Sequence, residues 1–388
     1  MMEIIDLTRE LVRFKTMHSR PDEVRQCASY VENYLKDLGV SCKRFDYGNA
    51  PALLALPQGK KAPVLLMSHF DVVDAPDRLF RPVIQDGKLF GRGCLDDKYA
   101  VALSLILFKN NLQRLQKQGR GQPDLPFGIL MTSDEETGGF NGAKKILGEI
   151  PTDFCIVLDG GSLEKIVVKE KGVVSVRLLS RGNANFSDKH RIARNAMEVL
   201  KNDIARWRIY FVTSAPAHPH RKIICNSIQT LSSYQGIPEI AEAQFEIQYT
   251  ENDDIERMFT TMQSDLHSDI IIDHVAPRFD GGESEHLKWL LDISKDTRIG
   301  FEDGANDSRF LSGFGIKGIV WGADGNRSRH TMDEHVDIES IYKLYDLLDE
   351  FVRRCESPGR YLNSEKENNK VDFVECKRHS SGNSKGFF

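Results

Sequence analysis

Four short apolar runs, each ending in polar or charged side chains, set the pattern of this sequence. They cover residues 64–67, 127–131, 154–158 and 316–321. Each run has the length and composition of a buried strand. Helical patterns surround the runs, at residues 3–17, 23–38, 99–115 and 338–354. Buried strands that alternate with helices predict an α/β fold whose mostly parallel sheet is covered by helices on both faces.

Residues 167–274 follow a different order of elements. The pattern predicts strands at 167–179, 222–230, 240–250 and 269–274, with helices at 190–207 and 253–266. This β-α-β-β-α-β order is typical of a small, ferredoxin-like α+β domain with an antiparallel sheet. We therefore expect a catalytic domain of residues 1–177 and 277–356, an inserted domain of residues 178–276, and a flexible tail at 357–388.

The composition of the chain narrows the classes of function. Its 388 residues exceed one typical core, and a formal net charge of -5 gives no general attraction for nucleic acid. No apolar run approaches the length of a membrane-spanning helix. The seven cysteines are scattered and form no Cys-x-x-Cys pair, which is typical of free thiols in a reducing compartment. We expect a cytoplasmic protein with neither nucleic-acid nor membrane partners.

The polar ends of the four runs carry the candidate chemistry. In a parallel sheet, ligands bind in the crevice outside the carboxyl ends of the strands. Residues far apart in the sequence are therefore expected to meet there, namely His69, Asp96, Glu135, Glu136, Asp159 and His330. Each of these also has an ordinary structural explanation, as a solvated helix start, a turn residue or a loop histidine.

Histidine and carboxylates around the first run indicate a metal ion. If the strand continues, His69 and Asp71 lie on one face, and a carboxylate commonly accepts the hydrogen bond of a metal-binding imidazole. The glycine-rich turn at residues 91–93 would deliver Asp96 and Asp97 to the same place. A lone His-x-Asp is more often an ordinary pair than a metal site, so this stretch alone leaves both interpretations open.

Taken together, the motifs resemble those of the co-catalytic zinc amidohydrolases. In order, they are His69-x-Asp71, GRGCLDDK at residues 91–98, Asp134-Glu135-Glu136, Asp159, GANDSR at residues 304–309, and His330-x-x-Asp333-Glu334. The family includes acetylornithine deacetylase, succinyl-diaminopimelate desuccinylase, aminoacylase, carboxypeptidase G and the dipeptidases related to carnosinase. The resemblance extends over residues 4–352 and implies that the inserted domain is a lid through which two subunits form a homodimer.

The resemblance also implies two zinc ions per chain, replaceable by cobalt or manganese, that share one carboxylate. Asp96 matches the shared ligand; His69 and Asp159 match the remaining ligands of one ion, and Glu136 and His330 those of the other. Asp71 matches the residue that orients His69. Glu135 matches the general base of a reaction in which a bridging zinc-bound hydroxide attacks the amide carbonyl.

Positions that would contact substrate match the family less closely. Asn226, Asn306 and Arg309 match substrate-binding residues, although the family commonly has threonine where this chain has Asn306. The family's lid histidine, which stabilises the oxyanion, aligns with Phe186. His190 lies four positions from that place and is the nearest candidate for a substrate-binding histidine.

The predicted function is hydrolysis of an amide or peptide bond in a small substrate that carries a free carboxylate, either an N-acyl amino acid or a dipeptide. The alternative is a catalytically inactive family member that binds a small molecule or a protein. Phe186 favours this alternative, as does Tyr99, which replaces the usual glycine after Asp-Asp-Lys and is expected to crowd or reshape the rim of the site. The complete ligand set with Glu135 opposes it. A nucleotide-binding enzyme is disfavoured because the turn at 91–93 lacks the further glycine of a phosphate loop.

Overall fold

The computed structural model describes residues 2–57, 61–182, 195–212, 222–234 and 237–356. The predicted tail at 357–388, Phe186 and His190 lie outside the described residues. The described helices are α1 (Met2–Arg13), α2 (Pro21–Asp37), α3 (Lys98–Gln116), α4 (Ala143–Leu147), α5 (Ala196–Val212), α6 (Ile255–Asp265), α7 (Glu285–Ile293), α8 (Arg309–Gly313) and α9 (Ile338–Glu356). Among these helices, none combines the length and apolar character needed to cross a membrane.

The strands form three sheets. They are β1 (Lys43–Tyr47), β2 (Ala50–Ala55), β3 (Ala62–His69), β4 (Val83–Gln85), β5 (Lys88–Phe90), β6 (Phe127–Thr132), β7 (Thr152–Val157), β8 (Lys165–Glu170), β9 (Gly172–Arg181), β10 (Lys222–Tyr234), β11 (Ile237–Tyr249), β12 (Asp269–Ala276), β13 (Phe279–Asp280), β14 (Arg298–Glu302), β15 (Lys317–Val320) and β16 (His335–Asp337). The smallest sheet has the order β16-β5-β4.

The largest sheet has the order β1-β2-β6-β3-β7-β15-β8-β13, and β14 also pairs with β8. The predicted parallel arrangement is confirmed at its centre, where β6, β3, β7 and β15 run parallel. The outer pair β1 and β2 is antiparallel because a tight turn joins the two strands directly. The four predicted apolar runs are the four central strands, so their carboxyl ends meet at one edge of the sheet.

Two apolar cores cover the two faces of this sheet. On β3, Val64 and Leu66 pack into one core with helices α1, α2, α3, α7 and α9, and Leu65 and Met67 pack into the other with α4 and α8. Successive side chains of a strand point to opposite faces, so a strand that is apolar at every position contributes to both cores. Each fully buried side chain of this size stabilises the fold by roughly 1.5–3 kcal/mol.

The four-stranded sheet is antiparallel and lies within residues 172–276. Its order, β10-β11-β9-β12, together with α5 and α6, gives the β-α-β-β-α-β arrangement that the sequence pattern predicts. Trp207 of α5 stacks on Phe245 of β11 at 5.7 Å between ring centroids, and Phe259 of α6 packs beside them. This sheet therefore has an apolar core of its own.

The single strand predicted at residues 167–179 is wrong, because the chain leaves one sheet and enters the other at Lys171. Glu170 ends β8 with its side chain buried, where it accepts a hydrogen bond of 2.9 Å from the Ser308 hydroxyl. Lys171 forms an ion pair of 2.6 Å with Asp303. Contacts with residues far away in the sequence therefore divide a continuous β pattern into β8 and β9.

Candidate metal centre and active site

His69 ends β3 at the carboxyl edge of the central sheet. Its Nε2 lies 3.0 Å from Asp96 Oδ1 and 3.7 Å from Asp159 Oδ2. Its Nδ1 lies 3.3 Å from Asp71 Oδ1 on the opposite side of the ring. One imidazole nitrogen thus faces two carboxylates while the other has a hydrogen-bond partner, which is the usual arrangement of a metal-binding histidine.

Asp96 faces two histidines with two different oxygens. Its Oδ2 lies 3.0 Å from His330 Nε2, and the same nitrogen lies 3.1 Å from Glu136 Oε1. Burial favours the neutral form of Asp96, but hydrogen bonds with His330 and His69 outweigh burial and hold its pKa well below the usual range. A carboxylate that stays ionised between two imidazoles is suited to bridge two cations.

Five of the predicted residues therefore form two groups of candidate metal ligands. They are His69, Asp96 and Asp159 in one group and Asp96, Glu136 and His330 in the other. Within each group the ligand atoms lie within 4.8 Å of one another, so each group can surround a single cation. Imidazole with carboxylate oxygen is a donor set that suits divalent zinc, and Asp96 belongs to both groups.

Asp71 connects His69 to the second group. Its two oxygens accept hydrogen bonds from the backbone N–H groups of Glu135 at 3.3 Å and Glu136 at 3.0 Å. These residues begin the short 3-10 turn that follows β6. Because one carboxylate contacts both the imidazole of His69 and this turn, it fixes candidate ligands from two strands relative to each other.

Glu135 lies beside the two groups without belonging to either. Its Oε1 is 3.5 Å from Arg309 Nη2. Burial raises the pKa of Glu135 well above its usual range, and the negative charge of Asp159 raises it further. A buried carboxylate that takes up a proton more readily than usual is suited to act as a general base.

Asp159 follows β7 and has partners on two sides. Arg329 Nη1 donates a hydrogen bond of 2.8 Å to its Oδ1, while the Asn306 side-chain amide donates one of 2.8 Å to its backbone carbonyl. Asn306 also donates to Glu170 Oε1 at 3.1 Å. The amide of Asn306 therefore holds the backbone beneath the site, and its predicted contact with substrate stays a prediction.

Glu334 holds the turn that carries Asp96. It forms a buried ion pair with Arg92, and its Oε1 accepts backbone N–H groups of Gly93 at 2.9 Å and of Leu95 and Asp96 at 3.2 Å each. Glu334 stands in the last of the predicted motifs, but no role was predicted for it. Its position in the His-x-x-Asp-Glu motif was the signal by which the sequence could have revealed this role. Arg329, which precedes His330, lies outside the predicted motifs, and no role was predicted for it.

Tyr99 does not crowd the rim of the site, contrary to the prediction. Its side chain is fully buried. The hydroxyl donates to the Leu158 carbonyl and accepts the Ala323 N–H, both at 2.9 Å. Tyr99 therefore ties the end of β7, just before Asp159, to the loop that leads to His330.

One predicted substrate residue, Asn226, is not brought to this site. Asn226 lies on β10 and lines a separate cleft together with Arg177, Glu242 and Asp273. His190 lies outside the described residues. Of the three predicted substrate residues that the structure describes, Arg309 is thus the one whose side chain contacts Glu135.

The fold and the site indicate a class of protein: a metallohydrolase, with two groups of candidate ligands that share one carboxylate at the carboxyl edge of an α/β sheet. The family model described as peptidase family M20/M25/M40 matches residues 65–354. The chain therefore belongs to this family of metal-dependent peptidases and amidohydrolases.

Individual relatives agree with this membership. A succinyl-diaminopimelate desuccinylase of Xylella fastidiosa is 27% identical over 385 residues, which cover 90% of this chain and 98% of the relative. An uncharacterised metallohydrolase of Methanocaldococcus jannaschii is 22% identical over 375 residues, or 83% and 88% of the two chains.

Solved structures share the fold. A Staphylococcus aureus tripeptidase aligns with a TM-score of 0.70 at 18% identity and covers 92% of this chain and 98% of its own. Human carnosine dipeptidase 1 aligns with a TM-score of 0.62 at 12% identity, over 92% and 97% of the two chains.

Proposed function

We propose that this chain is a dinuclear zinc hydrolase that cleaves an amide or peptide bond in a small substrate with a free carboxylate. The observation that carries the proposal is Asp96, whose two oxygens face His69 and His330. Asp96 would bind both ions, His69 and Asp159 one of them, and Glu136 and His330 the other. Cobalt or manganese would replace zinc in vitro, because the same ligand types accept them.

An amide carbonyl is a poor electrophile and water at neutral pH is a poor nucleophile, so the site has to activate both. When bound, the two ions supply Lewis acidity that lowers the pKa of water towards ~7 and polarises the scissile carbonyl. Glu135 then accepts the proton of the attacking water and delivers it to the leaving nitrogen, which releases the amine in neutral form. Arg309, 3.5 Å from Glu135, would hold the Glu135 side chain in position for both transfers.

The class of substrate is supported by what the relatives' names state. The desuccinylases remove an acyl group, and the tripeptidase and carnosine dipeptidase cleave short peptides. Arg309 offers a cation next to Glu135 and is our candidate for binding the free carboxylate of the leaving amino acid. Asn226, Asn306 and His190 remain further candidates for contact with substrate.

We also propose that residues 178–276 form a lid and dimerisation domain. Its support is β10, which lies at the outer edge of the four-stranded sheet and exposes Ile228 and Leu231. The cysteines of the described residues are free thiols, which supports a reducing location such as the cytoplasm.

Metal analysis combined with a substrate screen tests the proposal. The wild type, Glu135→Gln and the control Glu350→Gln, an exposed glutamate on α9, are purified without chelator. Elemental analysis gives the metal content, and the screen contains dipeptides and N-acyl amino acids. We expect about two zinc per chain in all three proteins, and a loss of kcat of at least ~100-fold in Glu135→Gln alone.

The outcomes separate the proposed enzyme from a binding protein. Turnover by wild type and control, with loss in Glu135→Gln at unchanged metal content, supports a hydrolase with Glu135 as base. A wild type that holds two metal ions yet cleaves no member of the screen would contradict the proposal and favour the inactive, ligand-binding alternative.

A further inference from the structure

Arg329 contacts a carboxylate that belongs to one of the two groups of candidate metal ligands. Its Nη1 donates a hydrogen bond of 2.8 Å to Asp159 Oδ1. The other oxygen of this carboxylate, Oδ2, lies 3.7 Å from His69 Nε2, and these two residues form a group with Asp96. A cation bound by this group and the guanidinium of Arg329 would therefore hold the two oxygens of one carboxylate.

The positive charge of Arg329 acts on more than its hydrogen-bond partner. The side chain is 30% exposed and borders a cleft of about 580 Å³. Burial lowers the pKa of its guanidinium, but the carboxylates of Asp159 and Asp96 outweigh burial and raise that pKa above its ordinary value. The charge of Arg329 therefore interacts with two of the three ligands in the group of His69.

The second group of candidate ligands differs in its charged neighbours. Glu136 Oε1 lies 3.1 Å from His330 Nε2, and within the part of the chain that the structure describes no lysine or arginine pairs with this glutamate. Asp96 belongs to both groups. Each group thus has one imidazole and two carboxylates, but only in the first does an arginine hold one of the carboxylates that the second does not share.

Asp96 and Asp159 need a nearby cation because their carboxylates are close together and buried. Asp96 is 5% exposed and Asp159 is 4% exposed, and their ligand oxygens lie within 4.8 Å of each other. Like charges at this distance repel each other strongly where water is excluded. Arg329 supplies one positive charge at Asp159, and a bound divalent cation would supply two. The two cations would in turn repel each other across the same carboxylate.

We infer that Arg329 competes with a divalent cation for Asp159: it stabilises the fold when no cation is bound, and it weakens the binding of a cation by His69, Asp96 and Asp159. The inference rests on the proposed dinuclear centre. A residue that only oriented Asp159 for the cation would have the opposite effect on binding, because its loss would lower the affinity for the cation. The sign of the change in affinity therefore distinguishes competition from orientation.

Substitutions that separate the charge of Arg329 from its hydrogen bond test the inference. Arg329→Gln keeps a donor and removes the charge, Arg329→Met removes both, and Arg329→Lys keeps the charge. The matched control is Arg327→Gln, which removes the same charge from an exposed position of the same loop. Wild type and variants are freed of metal with a chelator, which is then removed.

Urea denaturation of the metal-free proteins measures the effect on the fold. We expect a lower urea midpoint in Arg329→Gln and Arg329→Met than in wild type, because the carboxylates of Asp96 and Asp159 lose their cation. Arg329→Lys should keep most of the wild-type stability. Arg327→Gln should match wild type, which would show that the change in net charge alone has no such effect.

Zinc titration in competition with a chromophoric chelator measures the effect on binding. In Arg329→Gln and Arg329→Met, the dissociation constant of the more weakly bound zinc ion should fall by about tenfold or more, because a like charge beside the ion is removed. Arg329→Lys and Arg327→Gln should stay within about twofold of wild type. Zinc should accordingly raise the urea midpoint more in Arg329→Gln than in wild type.

Three results would overturn the inference and leave the dinuclear centre intact. Unchanged zinc affinity in Arg329→Gln and Arg329→Met would show that the guanidinium and the ion do not compete. Weaker zinc binding in both would show that Arg329 orients Asp159 for the ion. An unchanged urea midpoint in both metal-free variants would show that Arg329 does not stabilise the fold. A wild type that binds no zinc would overturn the inference and the proposed function together.

Discussion

Asp71 holds the two ligand groups in place relative to each other, although it belongs to neither group. It faces His69 Nδ1 and accepts the N–H groups of Glu135 and Glu136. Asp71→Ala removes all three contacts, so we expect zinc affinity to fall by about 10- to 100-fold. Competition with a chromophoric chelator measures the change.

The matched control for Asp71 is Asp74→Ala. Asp74 is exposed and accepts a hydrogen bond from Ser19. Its loss should leave zinc affinity unchanged. Wild-type zinc affinity in Asp71→Ala would show that His69 keeps its orientation without this carboxylate and would contradict the assigned role.

Tyr99 is a second residue whose effect can be predicted. Tyr99→Phe leaves the Leu158 carbonyl and the Ala323 N–H buried without their partner, at a cost of roughly 1–3 kcal/mol in the free energy of unfolding. Urea denaturation measures this loss. Tyr47→Phe removes an accessible hydroxyl bonded to Glu149 and serves as control. An equal loss of unfolding free energy in both variants would mean that the burial of the Tyr99 hydroxyl does not determine the size of the effect.

At the scale of elements, the sequence predicts strands and helices well where the local pattern determines them. The predicted run 64–67 lies within β3, and the helical pattern at 23–38 corresponds to α2, after which Gly39 takes a left-handed conformation at φ +71°. The predicted boundaries are wrong where contacts between residues far apart in the sequence decide where an element ends. The first helix was expected to reach residue 17 but ends at Arg13, and the Phe14 carbonyl that follows accepts a hydrogen bond from the buried Lys98 amine.

His286 on α7 should make the stability of the fold depend on pH. Its ring stacks on Phe154 at 5.1 Å and contacts the rings of Trp289 and Phe351. Burial lowers its pKa below the ordinary value of 6.5. The unfolded chain therefore binds the proton more readily than the folded one, so the free energy of unfolding falls as pH decreases through about 6.5.

A comparison with His286→Phe isolates this effect from other titrating groups. Urea denaturation of both metal-free proteins is measured at about pH 7.5 and pH 5.5. We expect a larger loss of unfolding free energy in the wild type than in the variant over this range. The same loss in both proteins would show that His286 keeps its ordinary pKa in the fold.

At the scale of the whole molecule, the residues brought together are those that end neighbouring strands. His69, Asp159 and the residues after β6 were predicted to converge because parallel strands place their carboxyl ends at one edge. The role of Glu334 was not predictable in this way. Its contact with Gly93 joins residues 241 positions apart and depends on how two irregular loops fold back on each other. The same holds for the hydroxyl of Tyr99, whose direction the local pattern does not determine.

The outer edge of the four-stranded sheet leads to the last prediction, which concerns the assembly of two chains. Strand β10 pairs with β11 on one side and exposes Ile228 at 52% and Leu231 at 50%. An exposed apolar edge strand can pair with the same strand of a second copy, which gives a twofold symmetric contact. We therefore expect light scattering at micromolar concentration to report twice the mass of the chain.

Charged substitutions locate the contact within the dimer. Ile228→Lys combined with Leu231→Lys should convert the protein to monomers, because two lysines on an edge strand oppose strand pairing. Val83→Lys, at an exposed apolar position of β4, should leave the dimer intact. A monomeric wild type would contradict the assembly itself. A dimer that survives the double substitution would place the interface on another surface and leave β10 as a free edge.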